Sequence, residues 1–372
     1  MNAFSRWIIA VVFTLPLAVL AQPISMEKLV EELGLRESAT AVRDMPGWQP
    51  PKKIVMLLWG DLPESGPGSR DWLRIAAGDA ELVFTDGRSV DAMAGADAYF
   101  GICSAAAIKA ADALRYIHIY RAGLDSCMQI EGLADRGLIA TNSQKVASQT
   151  IAESAIALML ALTRNIHHYR DSQLDRRWAR GDSKLPPPVS VNGKTMLVLG
   201  LGGIGTQTAR QAHGLGMTVI GTRNSSRTGP RFVQYVGLAE ETNELAKRAD
   251  VVVNALPLTG LTRGAIDEQF FGNLRKGSYY VSVGRGSTTD TEALISALRD
   301  GTLAGAGLDV TDPEPLPPNH PLWGIDNVII TPHVAAHSDL SRRNTLLVAG
   351  ENLRRYVAGE KLLNIVDLSR GY

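Results

Sequence analysis

The chain has 372 residues, 45% of them apolar, with 36 glycines and only two cysteines. That length suggests two domains rather than one, and two cysteines cannot make a disulfide-stapled scaffold. Thirty-eight basic residues balance thirty-eight acidic ones, giving a formal net charge of zero. The balance excludes the electrostatic footprint of a nucleic-acid binder or of a protein held on an anionic membrane.

Arg6 precedes a charge-free, largely apolar stretch from Trp7 to Leu20, followed by Ala21. This is short of the roughly 20 residues that span a bilayer, and Pro16 interrupts it. Residues 1–21 read as a secretory signal peptide, placing the protein in the periplasm or outside the cell. An uncleaved membrane anchor and a true start at Met26 are the alternatives. Residues 22–51 form an N-terminal extension with a short amphipathic helix over "SMEKLVEELGL".

From residue 52, strand-like runs alternate with helical ones. "KKIVMLLWG" (52–60), "AELVFTD" (80–86), "ADAYFG" (96–101) and "RYIHIYRAG" (115–123) read as buried strands. Continuous apolar strands separated by helices predict an α/β fold, a parallel sheet covered on both faces. "SQTIAESAIALMLALTRNI" (148–166) is apolar around most of its circumference, which predicts a buried helix between domains or at a subunit contact. After "KLPPP" (184–188) a second βα series runs from "KTMLVLG" (194–200) to "NVIITPH" (327–333). The expected organisation is a first domain over 52–147, a second over 148–337, and a return of 338–372 to the first through a helix at 338–360.

Within "TMLVLGLGGIGTQTARQAHGLGMTVIGTRNSSR" a strand ends at Gly200, and Gly200, Gly202 and Gly205 lead into a helix and a second strand. The glycines permit a tight turn, close approach of a pyrophosphate and close helix–strand packing, with the phosphates at the helix N-terminus near Gly203 and Ile204. This frame predicts dinucleotide binding. The second strand ends in Thr222, Arg223, Asn224 and Ser225, with no acid between Gly221 and Arg227. NAD-binding loops place Asp or Glu here to hold the ribose 2′-hydroxyl. Arg223, with serines and Arg227 beyond, suits a 2′-phosphate, so NADP is favoured over NAD.

Arg285, Asp309 and His333 each follow an apolar strand, and Glu314 lies just beyond Asp309. In open α/β sheets ligands bind beyond the carboxyl ends of the strands, so these groups are candidates for one cleft.

In "GLGGIG", "NALPLTGLTRGAI", "GRGSTTDTEAL", "GAGLDV", "EPLPPNHPLW" and "TPHVAAH", in that order, the chain resembles the D-isomer-specific 2-hydroxyacid dehydrogenase family. "RAGLDSC" (121–127) and "TNSQKVASQTIAESAIALMLAL" extend the resemblance to nearly everything beyond residue 52. It implies a flavodoxin-like substrate domain beside a Rossmann NAD(P)-binding domain, and hydride transfer between nicotinamide and a small 2-oxo or D-2-hydroxy acid. Arg285 would bind the substrate carboxylate and carbonyl. His333 would be the general acid/base, and Glu314, paired with the imidazole, would favour its protonated form and fix its orientation. Leu256, Pro257, Thr259, Val283, Gly284 and Asp309 would line the cofactor. Gly101, Ile102 and Cys103, with Ala122 and Gly123, would meet the substrate carboxylate through backbone amides.

The resemblance further implies a homodimer through the cofactor domains and no metal. Cys103 is expected to pack as a small buried thiol, with a disulfide to Cys127 as the alternative. Arg121 reads as a solvated strand-end charge, with a contact to a second acidic group on the substrate as the alternative, and His337 as a decoy beside His333. Gly203 and Ser282 depart from the family pattern, where a longer polar side chain and an Asn are frequent. The absence of a regulatory domain after "SRGY" argues against the phosphoglycerate dehydrogenases that carry one. A non-enzymatic dinucleotide sensor or scaffold of the same family is the rival reading.

Overall fold

The computed structural model describes residues 25–58, 60–224 and 226–368. The signal-peptide reading of residues 1–21 and the cofactor expectation for Ser225 lie outside the described residues.

In chain order the first part comprises α1 (Met26–Leu33), β1 (Lys53–Leu57), α2 (Arg70–Ala77), β2 (Glu81–Thr85), β3 (Ala98–Gly101), α3 (Ala105–Ala110), β4 (Tyr116–Ile119), α4 (Asp125–Met128) and β5 (Ile139–Asn142). Its five strands are all parallel in the order β2-β1-β3-β4-β5, the flavodoxin-like arrangement. Residues 54–57, 98–101 and 116–119 are buried continuously, as strands covered on both faces must be. β4 is shorter than the apolar run suggests. At Tyr120 the side chain turns to donate to Leu57 O at 2.9 Å, and the chain bends toward α4.

The second part comprises α5 (Ser148–Thr163), α6 (Ile166–Leu174), β6 (Thr195–Leu199), α7 (Gly203–Gly214), β7 (Thr218–Thr222), β8 (Tyr235–Gly237), α8 (Thr242–Ala246), β9 (Val251–Asn254), α9 (Glu268–Gly272), β10 (Ser278–Ser282), α10 (Thr291–Arg299), β11 (Leu303–Leu308) and β12 (Val328–Ile330). The strand order is β12-β11-β10-β9-β6-β7-β8, again parallel throughout. This is the Rossmann order with one further strand, and its order reverses between β6 and β9.

α5 lies on this second sheet, against β10, β11 and α7. Ala152, Ala155, Leu158, Met159 and Leu162 are buried there. β11 is glycine-rich for that reason: a β-carbon at Gly307 would sit 2.9 Å from Leu158 Cβ. The apolar face of α5 that carries these residues is therefore covered by its own chain.

α11 (Asp339–Val357) returns to the first sheet, where Ala349, Leu353 and Tyr356 join its core and Tyr356 stacks on Tyr116 at 4.2 Å. The N-terminal segment is sewn to the same region. Ser38 N donates to Leu362 O at 2.8 Å, and Val42 N to Glu360 O at 2.9 Å. Leu29 and Leu35 pack with Leu347, Val348 and Leu363.

Candidate active site

The strand register sets the frame. Leu199, Asn254, Ser282, Leu308 and Ile330 are successive Cα partners across β6, β9, β10, β11 and β12. The segments after them therefore leave the sheet along one edge. Four strand spacings separate β6 from β12, about 19 Å. Gly200, Leu256, Arg285, Asp309 and His333 all lie just past that edge.

Gly200 has φ +89°, a conformation that costs other residues dearly, and its N–H donates to Thr222 Oγ1 at 3.2 Å. A β-carbon at Gly205 would lie 2.1 Å from Gly200 O, whereas one at Gly202 would meet nothing within 4 Å. Closeness is thus needed at Gly205 and open space is kept at Gly202. α7 has no side-chain cap, so its first N–H groups at Gly203 and Ile204 are available to an anion. Gly203 itself is explained by Ser148, whose Oγ would be 2.5 Å from an added β-carbon.

Beyond β7, Arg223 Nε is buried without a partner among the described residues. Arg227 is engaged elsewhere. Its Nη1 donates to Glu241 Oε1 at 2.6 Å, and Tyr235 OH donates to Glu241 Oε2 at 2.5 Å. These hydrogen bonds, Arg227 first, hold the Glu241 carboxyl down at about 2. Arg227 is therefore committed to an acid that arrives from fourteen residues further along the chain, and Arg223 is left as the cation at the strand end. Uncapped helix N-terminus, open glycine loop and orphaned Arg223 Nε together fit a dinucleotide.

Asn254 fixes the loop with Leu256, Pro257 and Thr259. Its Oδ1 accepts from Leu256 N at 3.1 Å, while Nδ2 donates to Tyr280 OH and Thr288 Oγ1 at 2.9 and 2.8 Å. Thr262 Oγ1 closes the loop by donating to Pro257 O at 2.6 Å. A β-carbon at Gly284 would lie 2.5 Å from Leu256 O, so this loop and the Val283–Gly284 segment are in close contact.

Arg285 reaches across to the first domain. Nε and Nη2 donate to Asp125 Oδ2, both at 3.0 Å, and Nη1 donates to Gly284 O at 2.8 Å. A β-carbon at Gly123 would fall 2.0 Å from Arg285 Nη2. The structure thus joins Arg285 to the Ala122–Gly123 segment, and Ala122 O is held by Asn142 Nδ2 at 2.7 Å. Cys103 is not a free thiol. It is bonded to Cys127, which corrects the expectation of an unpaired buried cysteine. The reason is tertiary: parallel β3 and β4 are neighbours, so the segments leaving their carboxyl ends converge. The bond ties Gly101–Cys103 to the helix carrying Asp125. Arg121 is exposed, as a solvated charge would be.

His333 Nδ1 lies 2.6 Å from Glu314 Oε1. A carboxylate only accepts, so Nδ1 carries the hydrogen and Nε2 is left for other chemistry. His333 has φ +54°, an unusual backbone for a non-glycine residue. Asp309 holds it there: Asp309 O accepts from His333 N at 2.8 Å. The Asp309 carboxylate accepts from Thr331 Oγ1 at 2.6 Å, Val334 N at 3.0 Å and Ala335 N at 3.0 Å. Asp309 is 3% exposed. Its hydrogen bonds therefore go to the histidine loop, where the sequence suggested a cofactor contact. Among the described residues, His337 bonds through its backbone, donating from N to Val334 O at 2.8 Å.

Sequence reasoning missed Asp125, Thr331 and Glu241. Asp125 stands inside the quoted "RAGLDSC", but its partner is 160 residues away. Nothing local marks it.

Residues 156–335 match the family described as D-isomer specific 2-hydroxyacid dehydrogenase, NAD binding domain. A glyoxylate reductase of Thermofilum pendens is 34% identical over 255 residues, covering 68% of this chain and 74% of its own. A D-isomer specific 2-hydroxyacid dehydrogenase from Xanthobacter autotrophicus, solved with NADPH and MES, superposes with a TM-score of 0.70 at 28% identity, covering 87% of this chain and all of that one. An NADPH-dependent glyoxylate/hydroxypyruvate reductase of Sinorhizobium meliloti, solved with NADP and malonate, gives 0.69 at 26% identity, with 86% and 98% covered.

Proposed function

The chain belongs to the D-isomer specific 2-hydroxyacid dehydrogenase family and is an NAD(P)-dependent oxidoreductase, and from that premise we propose that it reduces small 2-oxo acids of the glyoxylate and hydroxypyruvate class with NADPH. The observation that carries this reading is the His333 Nδ1–Glu314 Oε1 contact of 2.6 Å on the same sheet edge as Arg285 and the glycine loop.

When bound, the nicotinamide supplies the hydride. Arg285 anchors the substrate carboxylate and polarises the carbonyl with N–H groups that the protein leaves unused. Backbone amides of Gly101–Cys103 and Ala122–Gly123 complete the anion site. His333, held through Nδ1 by Glu314, gives a proton from Nε2 to the carbonyl oxygen in reduction and takes one back in oxidation. The orphaned Arg223 Nε supports a 2′-phosphate contact, hence NADP over NAD.

Export through residues 1–21 is part of the proposal. The Cys103–Cys127 bond supports it, because disulfides persist in oxidising compartments. A homodimer is also proposed. Its support is the exposed apolar run Ile166, Leu174 and Trp178 (91% exposed) in and after α6.

The test is NADPH oxidation by wild type and His333→Ala with a panel of 2-oxo acids. Turnover that the substitution abolishes is expected. No turnover by wild type on any of them, with tight nucleotide binding, would sink the enzyme reading. Mass analysis of the mature N-terminus checks export, and sedimentation checks the dimer.

A further inference from the structure

Three N–H groups of Arg285 are already spent inside the protein. Nε and Nη2 converge on a single oxygen, Asp125 Oδ2, and Nη1 is held by Gly284 O. A guanidinium has five such donors, so one remains on each terminal nitrogen. That pair can meet one carboxylate oxygen and the adjacent carbonyl oxygen of a 2-oxo acid.

The Asp125 carboxylate is itself firmly placed. Asp125 opens α4, and Cys127 within the same turn is bonded to Cys103 in the loop after β3. Gly123 leaves the gap that lets the guanidinium approach. The ion pair joins the two domains, with side chains 31% and 39% exposed, so it is screened by water only in part.

We propose that Asp125 is a positioning and specificity-determining residue, which orients Arg285 and restricts the site to substrates with a single carboxylate. The proposal rests on the reading of Arg285 as the carboxylate anchor. Arg285 and Asp125 together are neutral, so a first substrate carboxylate meets oriented N–H donors at little electrostatic penalty. A second carboxylate in the same small molecule meets the Asp125 charge from across the guanidinium, roughly 10 Å away. At an effective dielectric of about 20, that repulsion is worth on the order of tenfold in affinity.

The single accepting oxygen makes the two roles separable. Asp125→Asn keeps an oxygen for Nε and Nη2 and removes the charge. Asp125→Ala removes both. Dissociation constants for malonate, with two carboxylates, and propionate, with one, are measured on the nucleotide-loaded protein by tryptophan fluorescence. Steady-state kinetics with glyoxylate run beside them.

Both substitutions are expected to shift the malonate-to-propionate affinity ratio about tenfold toward malonate. Asp125→Ala is expected to lower kcat/KM for glyoxylate at least tenfold further than Asp125→Asn does. An unchanged affinity ratio in Asp125→Asn overturns the specificity role. Equal kinetic losses in the two variants overturn the positioning role. Should Asp125→Ala not fold, Asp125→Asn still decides through the ratio and through its own KM and kcat. A wild type that turns over no 2-oxo acid removes the proposed activity, and the binding ratio still tests Asp125.

Discussion

Asp309 and His333 form one unit: the backbone carbonyl of Asp309 accepts from His333 N at 2.8 Å, and its carboxylate gathers the N–H groups of Val334 and Ala335 on the far side of the histidine. A left-handed backbone at His333 persists because the residues around it are held independently. Asp309→Ala would strand a buried donor at Ala335, costing roughly 1–3 kcal/mol, and a partly buried one at Val334, costing less. The expected loss is about 2–4 kcal/mol in urea unfolding, with kcat falling in parallel. Wild-type stability in Asp309→Ala would show that the loop holds itself.

Glu314 touches the imidazole through one oxygen. Glu314→Gln retains an acceptor for Nδ1–H and loses the charge that balances a protonated ring. Glu314→Ala loses both. Steady-state kinetics should show kcat falling roughly tenfold for Gln and a hundredfold or more for Ala. Identical kcat in Glu314→Ala and wild type would remove Glu314 from the reaction.

Cofactor choice is predicted to turn on Arg223, since Arg227 is occupied by Glu241. Arg223→Asp supplies the acceptor that a free ribose 2′-hydroxyl needs and repels a 2′-phosphate. The ratio of NADPH to NADH efficiency should fall by at least about tenfold. An unmoved ratio would mean that the 2′-phosphate is met elsewhere.

His118 gives stability a pH dependence outside the active site. It is fully buried in β4, bonded through Nδ1 to Thr141 Oγ1 at 2.8 Å, and burial pushes its imidazole down to about 3. A depressed folded value favours the neutral ring. The stabilisation is therefore complete above the unfolded value near 6.5 and is lost as pH falls from there toward 3. Roughly 3 kcal/mol should be gone by pH 4. Urea unfolding of wild type and His118→Gln at pH 7, 5 and 4 isolates this contribution from that of the carboxylates. Parallel pH curves for the two proteins would contradict it.

The Cys103–Cys127 bond closes a loop of 24 residues, which in a chain-entropy account is worth about 3 kcal/mol. The double substitution Cys103→Ser, Cys127→Ser should lower stability by that order. It should also raise KM for the 2-oxo acid more than it lowers kcat, because the loosened segments are those proposed to bind substrate. Two titratable thiols in native protein purified without reductant would refute the bond.

Much of this site is legible in the sequence because its signals are local. The glycine loop is a strand, a turn and a helix in one continuous stretch. Arg285, Asp309 and His333 each announce themselves at the end of an apolar strand. What escapes is what depends on parallel strands bringing distant segments side by side. Cys103 and Cys127 follow different strands, and only the adjacency of β3 and β4 makes them partners. Asp125 looks like any acid at the start of a short helix until Arg285 arrives from the other domain. The bonds of Asp309 to the histidine loop escape too, because strand-end position reveals nearness to a cleft, while the direction of its hydrogen bonds depends on the loop from β12.

The chain passes between its two sheets twice, after β5 and before α11, and Thr150 Oγ1 and Ser338 Oγ, 3.0 Å apart, bind the two passages together. His333 precedes the second passage by only five residues, with Val334 and Ala335 in between. By pinning those two residues to the end of β11, Asp309 acts as a bulkhead between the histidine and the crossing, so the imidazole is placed by the second sheet and not by the linker. On the other side of the crossing lies the disulfide-tied half of the site, and Arg285 is joined to it through Asp125 alone of the contacts described above.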